Sequence, residues 1–408
     1  MEEIISAEVR KDWNGSGTDF PLFLPVTDDM EKKENEERIG KSVELVKKQI
    51  HAFPYPLCFF GMRKRWKKKT ERLVGNILKK EPLLHLEKSM SGASLQGFQD
   101  EIAAFMRRAR LFAPELALAD MGQAIRNYMV YAIFRELNGL PQKCTASIFG
   151  YSMLYPFTDN FIDGAERTKE EKVHYNQLIA GKLKGEYCQP VSEYEEKTLA
   201  LLSAIEEDYD KSDEIYSGLL LMLEAQKNSQ KQENTETVLT EEQAFHISVC
   251  KGGMSVLIDR YLIGKPMTEA DLHFYYGFGF LLQLCDDLQD ITQDRENGSR
   301  TLFTVCTACE ETERKINRLL HYTKKLFEGC ECRNEDFKQF LFDNCCLLIL
   351  FSAAGSREHV SSEWLAEAQR HFPVSLKYMD CLQESLRGWD LDGDRKRYGT
   401  MMDTFLKA

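Results

Sequence analysis

The sequence predicts an all-α protein built as a single large helical bundle. From about residue 93 onward, apolar residues recur at spacings of three and four, as in Ile102, Phe105 and Met106, which is the period of an α-helix. Gly and Pro lie mostly between these periodic stretches. Alternating strand-like runs separated by Asn-Gly or Asp-Gly turns do not occur. These observations together favour helices throughout.

Length and charge limit the functions the chain can have. Its 408 residues, 43% of them hydrophobic, are enough for one large domain or two ordinary ones with a buried core. The 65 acidic residues outnumber the 53 basic ones, for a formal charge of -12. General nucleic-acid binders need surplus Lys and Arg to displace counterions from phosphate. We therefore expect no nucleic-acid partner, and any anionic substrate must be held by local cations or by bound metal.

The compartment can be predicted from the N-terminus and the cysteines. The start lacks the basic and apolar regions of a signal peptide, and no run reaches the roughly 18 apolar residues of a membrane span. We expect a cytoplasmic protein, where thiols stay reduced. Its 12 cysteines are then expected to be small core residues and not a disulfide framework.

The first 92 residues differ from the rest and are predicted to form an N-terminal extension. An aromatic segment, Phe53 to Phe60, is followed directly by the basic run 63–69. Aromatic residues beside cations suit the surface of an anionic membrane, so peripheral membrane contact through residues 53–73 is one expectation. The alternative is a solvated helix that packs on the main domain through Trp66, Leu73 and Ile77.

Residues 93–408 are predicted to form the catalytic domain. The polar, low-complexity stretch from Gln226 to Thr237 is expected to be a flexible loop between two helical halves.

A first acidic motif is Asp159-Asn160-x-x-Asp163. On a helix, Asp159 and Asp163 are i,i+4 neighbours on one face. Two carboxylates so close repel each other unless something positive lies between them. A metal could supply that charge, whereas hydrogen-bonded caps or an Arg partner would give the pair a structural role.

A second acidic motif follows a strongly apolar run. Asp286, Asp290 and Asp294 recur at four-residue spacing, which predicts one helix stripe with three carboxylates. Hard oxygen ligands of this kind suit Mg²⁺, which is usually shared between one or two carboxylates and substrate phosphate. A solvated acidic face is the alternative. If both motifs face each other across a bundle, they would form a metal-diphosphate clamp at the mouth of an apolar cavity.

The two motifs resemble those of a known family. The stretches Lys251-Gly-Gly, Phe280-Leu-Leu-Gln283-Leu-Cys-Asp286-Asp287-Leu-Gln-Asp290 and Gly298-Ser-Arg300-Thr-Leu are similar to the second half of trans-isoprenyl diphosphate synthases. Asp159, Asp163 and Arg167 resemble the family's first Asp-rich motif. The chain departs from the family at Asn160, where a second Asp is usual. It also lacks a Gly-Lys-x-x-Arg-Pro segment for isopentenyl diphosphate, and Gln123-Ala-Ile-Arg126 is the nearest stretch.

The C-terminal residues Trp389, Arg397 and Tyr398 resemble the ending of bacterial class I terpene cyclases, in which an Arg-Tyr pair closes over the diphosphate. Together the resemblances imply the helical fold of the class I isoprenoid synthases. They also imply a terpene synthase that ionises a linear prenyl diphosphate and converts the allylic cation to a hydrocarbon or alcohol. A homodimer is compatible with this assignment.

The resemblance assigns roles residue by residue. The residues expected to bind Mg²⁺, for which Mn²⁺ can substitute, are Asp159, Asp163, Asp286, Asp287 and Asp290. The residues expected to contact the substrate diphosphate are Lys251, Arg300, Arg397, Arg167 and Gln283, with Tyr398 as a lid partner.

Three alternatives remain open from the sequence. The closest is a prenyltransferase of the same fold, chain-elongating or head-to-head, which the Asp-Asp-x-x-Asp form of the second motif favours. Another is a catalytically idle isoprenoid-binding or membrane-scaffolding protein. The third is a zinc site formed by Cys306, Cys309, Cys330 and Cys332, for which buried free thiols are the favoured alternative.

Overall fold

The computed structural model describes residues 2–56, 61–80, 83, 86–164, 166–233, 239–387 and 395–406. Within these ranges the regular secondary structure consists of α-helices and three short 3₁₀ turns, without strands. The predicted all-α bundle is confirmed. The first nine helices are α1 Glu2–Asn14, α2 Asp29–His51, α3 Met62–Lys80, α4 Leu86–Ser89, α5 Gly92–Phe112, α6 Leu118–Leu137, α7 Ala146–Asp163, α8 Lys169–Lys184 and α9 Glu193–Glu206. The others are α10 Glu214–Ser229, α11 Glu241–Tyr261, α12 Glu269–Gln289, α13 Ile291–Asn297, α14 Cys309–Glu328, α15 Glu335–Gly355, α16 Ser362–Ala368, α17 Leu376–Arg387 and α18 Arg395–Leu406.

The bundle is organised around the pair α11 and α12, which pack along each other for most of their length. Helices α6, α7, α9 and α10 close one side of this pair, and α14 and α15 close the other. Aromatic residues fill the space between them, as expected from their helical spacing. The buried aromatic side chains near the acidic motifs are Phe157, Phe161, Phe274, Tyr275, Tyr276, Phe278 and Phe280.

The N-terminal segment supplies part of the same core. Helix α1 packs against α11, α12 and α14. The Trp13 indole is only 4% exposed and lies 5.6 Å from the Phe280 ring and 6.1 Å from the Tyr322 ring. The boundary predicted at residue 92 stays a prediction, but the residues before it contribute to the folding of the bundle.

A second, small apolar cluster joins α2, α3 and α18. It contains Phe53, Trp66 and Met401, with Tyr398 packed beside them. The Trp66 indole N–H donates a 2.7 Å hydrogen bond to the Gln49 carbonyl. Trp66 of α3 is thus buried, as the helix-packing alternative expects, but in this separate cluster and not in the main core of the bundle. Residues 57–60 of the predicted aromatic segment lie outside the described residues.

The predicted loop from Gln226 to Thr237 is helical in its first part, so the expectation was wrong there. Helix α10 continues to Ser229, and a 3₁₀ turn extends it through Glu233. The reason is hydrogen bonding between this stretch and distant parts of the chain. The Gln226 side chain donates to Asp159, and Gln232 forms two hydrogen bonds with the backbone of Arg300, which compensate for the polar composition. Residues 234–237 of the stretch lie outside the described residues.

One helix in the described part of the chain, α15, has the length and apolar composition of a membrane span. Half of its most apolar stretch is buried inside the bundle, where α15 packs on α12 and α14. One helix of this kind is equally typical of the core of a globular domain.

The described cysteines are all free thiols. Cys306, Cys330, Cys345 and Cys346 are buried, as expected of small core residues. Burial raises the pKa of Cys330 to about 12, so its thiol stays protonated at neutral pH.

Candidate functional site

The first acidic motif lies at the C-terminal end of α7, with Asp159 and Asp163 on the same helix as predicted. The Gln123 amide of α6 donates to one oxygen of Asp159, and the Gln226 amide of α10 donates to the other at 2.8 Å. Burial raises the pKa of Asp159, and the Gln123 hydrogen bond and the Lys251 ammonium partly oppose this shift. Asp163 is exposed. The motif thus combines one fixed carboxylate with one that faces solvent.

The second acidic motif lies where α12 ends. Asp290 is the C-cap of α12 with φ −102° and ψ 13°, and α13 begins at Ile291. The three carboxylates predicted on one continuous helix are therefore divided between α12 and α13, which corrects that expectation. Asp286 and Asp290 are both exposed. Desolvation and the Asp286 carboxylate raise the pKa of Asp290.

Asp287 lies about 100° around the helix from Asp286 and is buried. Ser248 donates a 3.0 Å hydrogen bond to one of its oxygens, and Gln283 donates a 2.8 Å hydrogen bond to the other. Burial raises the pKa of Asp287 to about 7. The structure does not present Asp287 to solvent, so the outward pair of this motif is Asp286 and Asp290.

Lys251, on α11, connects the two motifs. Its ammonium lies within electrostatic range of Asp159 and of Asp287, because it lowers the pKa of both carboxyls. The side chain is half-buried and forms no hydrogen bond or ion pair with any residue in the described ranges. Lys251 therefore acts electrostatically on one carboxyl of each motif.

The placement of Lys251 depends on the close approach of α11 and α12. A Cβ atom at Gly252 would overlap the Gly279 carbonyl of α12 and would lie 2.7 Å from the Gln283 Cβ. A Cβ atom at Gly253 would lie 2.6 Å from the Tyr276 ring. Real Cβ contacts are essentially never that short. Only glycine permits this crossing, which sets the ammonium of Lys251 beside the α12 motif.

Arg167 lies just beyond the end of α7. Its guanidinium is 4.7 Å from the centre of the Phe161 ring and 3.4 Å from a Glu171 oxygen. The first motif and this predicted diphosphate ligand are thus consecutive along one edge of the bundle. In this structure the charge of Arg167 is balanced by Glu171 and Glu166.

Arg300 reaches the same end of the bundle through the 3₁₀ turn after α10. Its backbone N–H donates to the Gln232 carbonyl at 3.0 Å, and the Gln232 amide donates back to the Arg300 carbonyl at 3.1 Å. Gln226, which holds Asp159, lies less than two helical turns before Gln232. The Arg300 Nε is buried without a hydrogen-bond partner in the described structure. This donor is therefore left unsatisfied by the described residues.

Arg397 and Tyr398 lie elsewhere. Arg397 donates 3.3 Å hydrogen bonds to the carbonyls of Ile50 and His51 at the end of α2, and Tyr398 packs in the cluster of Phe53 and Trp66. The described contacts do not bring this pair to the acidic motifs. Trp389 and the surrounding segment 388–394 lie outside the described residues.

An apolar cavity lies beside Asp159, between α7, α8, α9 and α10. Its volume is about 60 Å³, far below the roughly 300 to 1,000 Å³ of typical ligand pockets. Tyr155, Thr158, Leu223 and Gln226 are among its lining residues. A ligand with a long apolar tail therefore needs these side chains to move.

Deeper in the bundle, Asp259 is completely buried. The Asn127 amide donates to one of its oxygens at 3.1 Å, and Ser152 in turn donates to Asn127 at 2.8 Å. The other Asp259 oxygen has no hydrogen-bond partner within the described ranges. Burial raises the pKa of Asp259 well above its ordinary value, and the Asn127 hydrogen bond partly opposes this shift.

Sequence reasoning missed the residues that hold the carboxylates, namely Gln123, Gln226 and Ser248. Gln123 begins the stretch compared above with the missing isopentenyl diphosphate segment, and Gln226 begins the stretch predicted to be a loop. The glycines of α11 and α12 were a signal available in the sequence, because repeated glycines within two apolar helices indicate a close helix crossing.

The donor set fits Mg²⁺ better than zinc. Within the described ranges, no three His, Cys, Asp or Glu side chains converge closely enough to hold a metal ion by themselves. Structural zinc needs four such ligands, and the thiols of Cys306 and Cys332 instead contact the Leu302 carbonyl and Glu335. Mg²⁺ needs only one or two carboxylates beside water and substrate phosphate, which the exposed Asp286 and Asp290 provide.

No protein-family model, curated protein or solved structure matches the chain. What is shown is an all-helical fold.

Proposed function

We propose that the protein is a class I terpene synthase that ionises a linear prenyl diphosphate and converts the allylic cation to a terpene hydrocarbon or alcohol. The proposal is supported by Lys251, which lowers the pKa of one carboxyl in each acidic motif and follows directly on the close crossing of α11 and α12 at Gly252. The carboxylates of the two motifs outnumber this one ammonium, so the site favours metal cations, and bound metal together with Lys251 would in turn favour an anionic ligand.

The residues divide into two groups under this proposal. Asp159, Asp163, Asp286 and Asp290 hold the metal, with Mg²⁺ as the expected ion and Mn²⁺ as a substitute. When bound, the metal neutralises the charge of the departing diphosphate. Lys251 contacts diphosphate oxygens as a point charge, and Arg167 and Arg300 can each engage two oxygens.

Four polar side chains orient this site without touching substrate. Gln123 and Gln226 fix the rotamer of Asp159, so that its remaining lone pairs point in one direction. Gln283 and Ser248 hold Asp287, which anchors the end of α12 behind the outward-facing Asp286. We therefore assign Asp287 and Gln283 positioning roles in place of the ligand roles expected from the sequence.

The prenyl chain would enter the apolar space beside Asp159. Because that cavity is about 60 Å³, binding of a chain requires displacement of lining residues such as Leu223 and Tyr155. A cavity that opens only around substrate would exclude water from the allylic cation. Cyclisation or proton loss is then favoured over reaction of the cation with water to give an alcohol.

A prenyltransferase of the same fold is the second candidate, and one observation favours it. Arg397 and Tyr398, the residues that suggested a cyclase, pack against α2 and α3 in this structure. The second motif also keeps the Asp-Asp-x-x-Asp form typical of chain-elongating enzymes. A cytoplasmic location and a homodimer remain predictions under either assignment.

The deciding experiment incubates the protein and Mg²⁺ with C10, C15, C20 and C25 prenyl diphosphates, with and without isopentenyl diphosphate. We expect free diphosphate and a hydrocarbon or alcohol from a single substrate. Product that appears only with isopentenyl diphosphate, as a longer diphosphate, would establish the prenyltransferase.

Variants test the site itself. Asp159→Ala and Asp286→Ala should each abolish turnover while the circular dichroism spectrum and unfolding midpoint stay close to those of the parent protein. Asp19→Ala, which removes an exposed carboxylate beyond α1, is the matched control and should keep full activity. Full activity in both motif variants would refute the proposed clamp.

A further inference from the structure

Helix α3 concentrates positive charge in an acidic protein. It has nine Lys and Arg residues and a single acidic residue, Glu71, whereas the whole chain has a formal charge of -12. The basic residues of α3 are Arg63, Lys64, Arg65, Lys67, Lys68, Lys69, Arg72, Lys79 and Lys80.

Six of these side chains form one exposed surface, which we name the α3 arc: Lys64, Arg65, Lys68, Lys69, Arg72 and Lys79. At 3.6 residues per turn they fall within roughly 140° of the helix circumference. Trp66, on the opposite side, is buried, with Leu73 and Ile77 half-buried. No side chain of the arc forms an ion pair or hydrogen bond with the described residues. The apolar face of α3 is thus used for packing, and its cations face solvent.

A groove with a volume of about 920 Å³ adjoins the arc, between α3, α5 and α18. Four cations line it, Lys67, Arg72, Lys79 and Arg107, against two carboxylates, Glu71 and Asp100. Its apolar lining residues are Val74, Leu78, Leu95, Ile102, Ala103, Met106 and Phe405. Cations beside an open apolar groove complement a ligand that has an anionic head and an apolar body.

We propose that the α3 arc and its groove dock the protein on an anionic lipid bilayer. Lipid headgroup phosphates and carboxylates match the arc, and the glycerol and acyl region of a lipid matches the groove. A nucleic acid matches only the charges, because it has no aliphatic segment for the groove. The acidic remainder of the protein is repelled by an anionic leaflet, so this face alone approaches it. The inference is independent of the proposed catalytic function.

Vesicle co-sedimentation tests the proposal on the full chain. Each Lys or Arg near an anionic leaflet changes binding roughly fivefold, so Lys64→Gln, Lys68→Gln and Arg72→Gln combined should weaken binding roughly a hundredfold. The matched control is Lys33→Gln, Lys184→Gln and Arg314→Gln, three exposed cations on α2, α8 and α14 with the same total change in charge. The vesicles are phosphatidylcholine alone or with phosphatidylserine.

We expect the parent protein and the control to sediment with vesicles that contain phosphatidylserine, and not with phosphatidylcholine alone, and binding should fall as salt is raised. Equal binding by the α3 variant and the control would overturn the assignment to this surface. Failure of the parent protein to bind phosphatidylserine vesicles would overturn the proposal. Tighter binding to duplex DNA or RNA than to the vesicles would also overturn it, in favour of a nucleic-acid partner.

Discussion

The crossing of α11 and α12 allows the effect of one added methyl group to be predicted. In Gly252→Ala, the new Cβ overlaps the Gly279 carbonyl and lies 2.7 Å from the Gln283 Cβ. The obstacle is helix backbone, which has no alternative rotamer. The two helices must therefore separate or bend, and overpacking of this kind costs about 1 to 3 kcal/mol or more.

The matched control is Gly75→Ala in α3. Gly75 also lies inside a helix, but a Cβ there meets nothing within 4 Å. Alanine has the higher helix propensity, so this variant should be more stable by about 1 kcal/mol. The two substitutions, chemically identical, are expected to change stability in opposite directions.

Urea unfolding followed by circular dichroism measures both changes in free energy. The separation of the helices should also move Lys251 away from Asp287, so Gly252→Ala should raise the KM for a prenyl diphosphate more than Gly75→Ala does. If Gly252→Ala proved as stable as the parent protein, the close crossing and the argument for the position of Lys251 would both be wrong.

Three further predictions concern other parts of the core. Because burial raises the pKa of Asp259, the native state keeps a proton that the unfolded chain loses above its ordinary pKa of 3.8. The parent protein should therefore lose stability relative to Asp259→Asn as the pH rises above about 4, and urea midpoints of the two proteins that stay parallel above pH 4 would contradict the raised pKa. Trp13→Ala should lower the free energy of unfolding by about 3 to 5 kcal/mol, whereas Leu22→Ala, at a side chain 99% exposed, should leave it almost unchanged. Equal unfolding midpoints for the two variants would show that the packing of α1 is dispensable. Leu223→Ala should lower the free energy of unfolding by about 2 to 5 kcal/mol and enlarge the cavity beside Asp159. Longer prenyl diphosphates should then compete better in mixed-substrate assays. An unchanged substrate preference would show that the prenyl chain binds elsewhere.

The parts of the fold that depend on local pattern could be predicted from the sequence. Helical periodicity is a property of neighbouring residues, and α7 and α12 form where it predicts them, with Asp159 and Asp286 near their ends. The burial of Phe278 and Phe280 follows from the same pattern. Trp66 packs as its apolar character indicated.

The parts that depend on packing between distant segments could not be predicted. The direction of Asp286 and Asp287 was ambiguous, since adjacent residues on a helix differ by about 100° and only the position of α11 decides which is buried. The hydrogen-bond donors to Asp159 come from α6 and α10. The spacing of residues along the sequence does not say how these helices pack against α7. The contact between Arg397 and the end of α2 was unpredictable for the same reason. Its contacts are with residues almost 350 positions earlier in the chain.

The packing of α1 has a consequence for synthesis. The ring partners of Trp13, namely Phe245, Phe280 and Tyr322, are made at least about 230 residues after it. At roughly 5 to 20 residues per second, a ribosome would hold this tryptophan without its binding surface for roughly 10 to 50 seconds. During that time an amphipathic segment with an exposed indole is a substrate for chaperones. The bundle can close only after the middle of the chain has emerged, so we expect folding to be mainly post-translational.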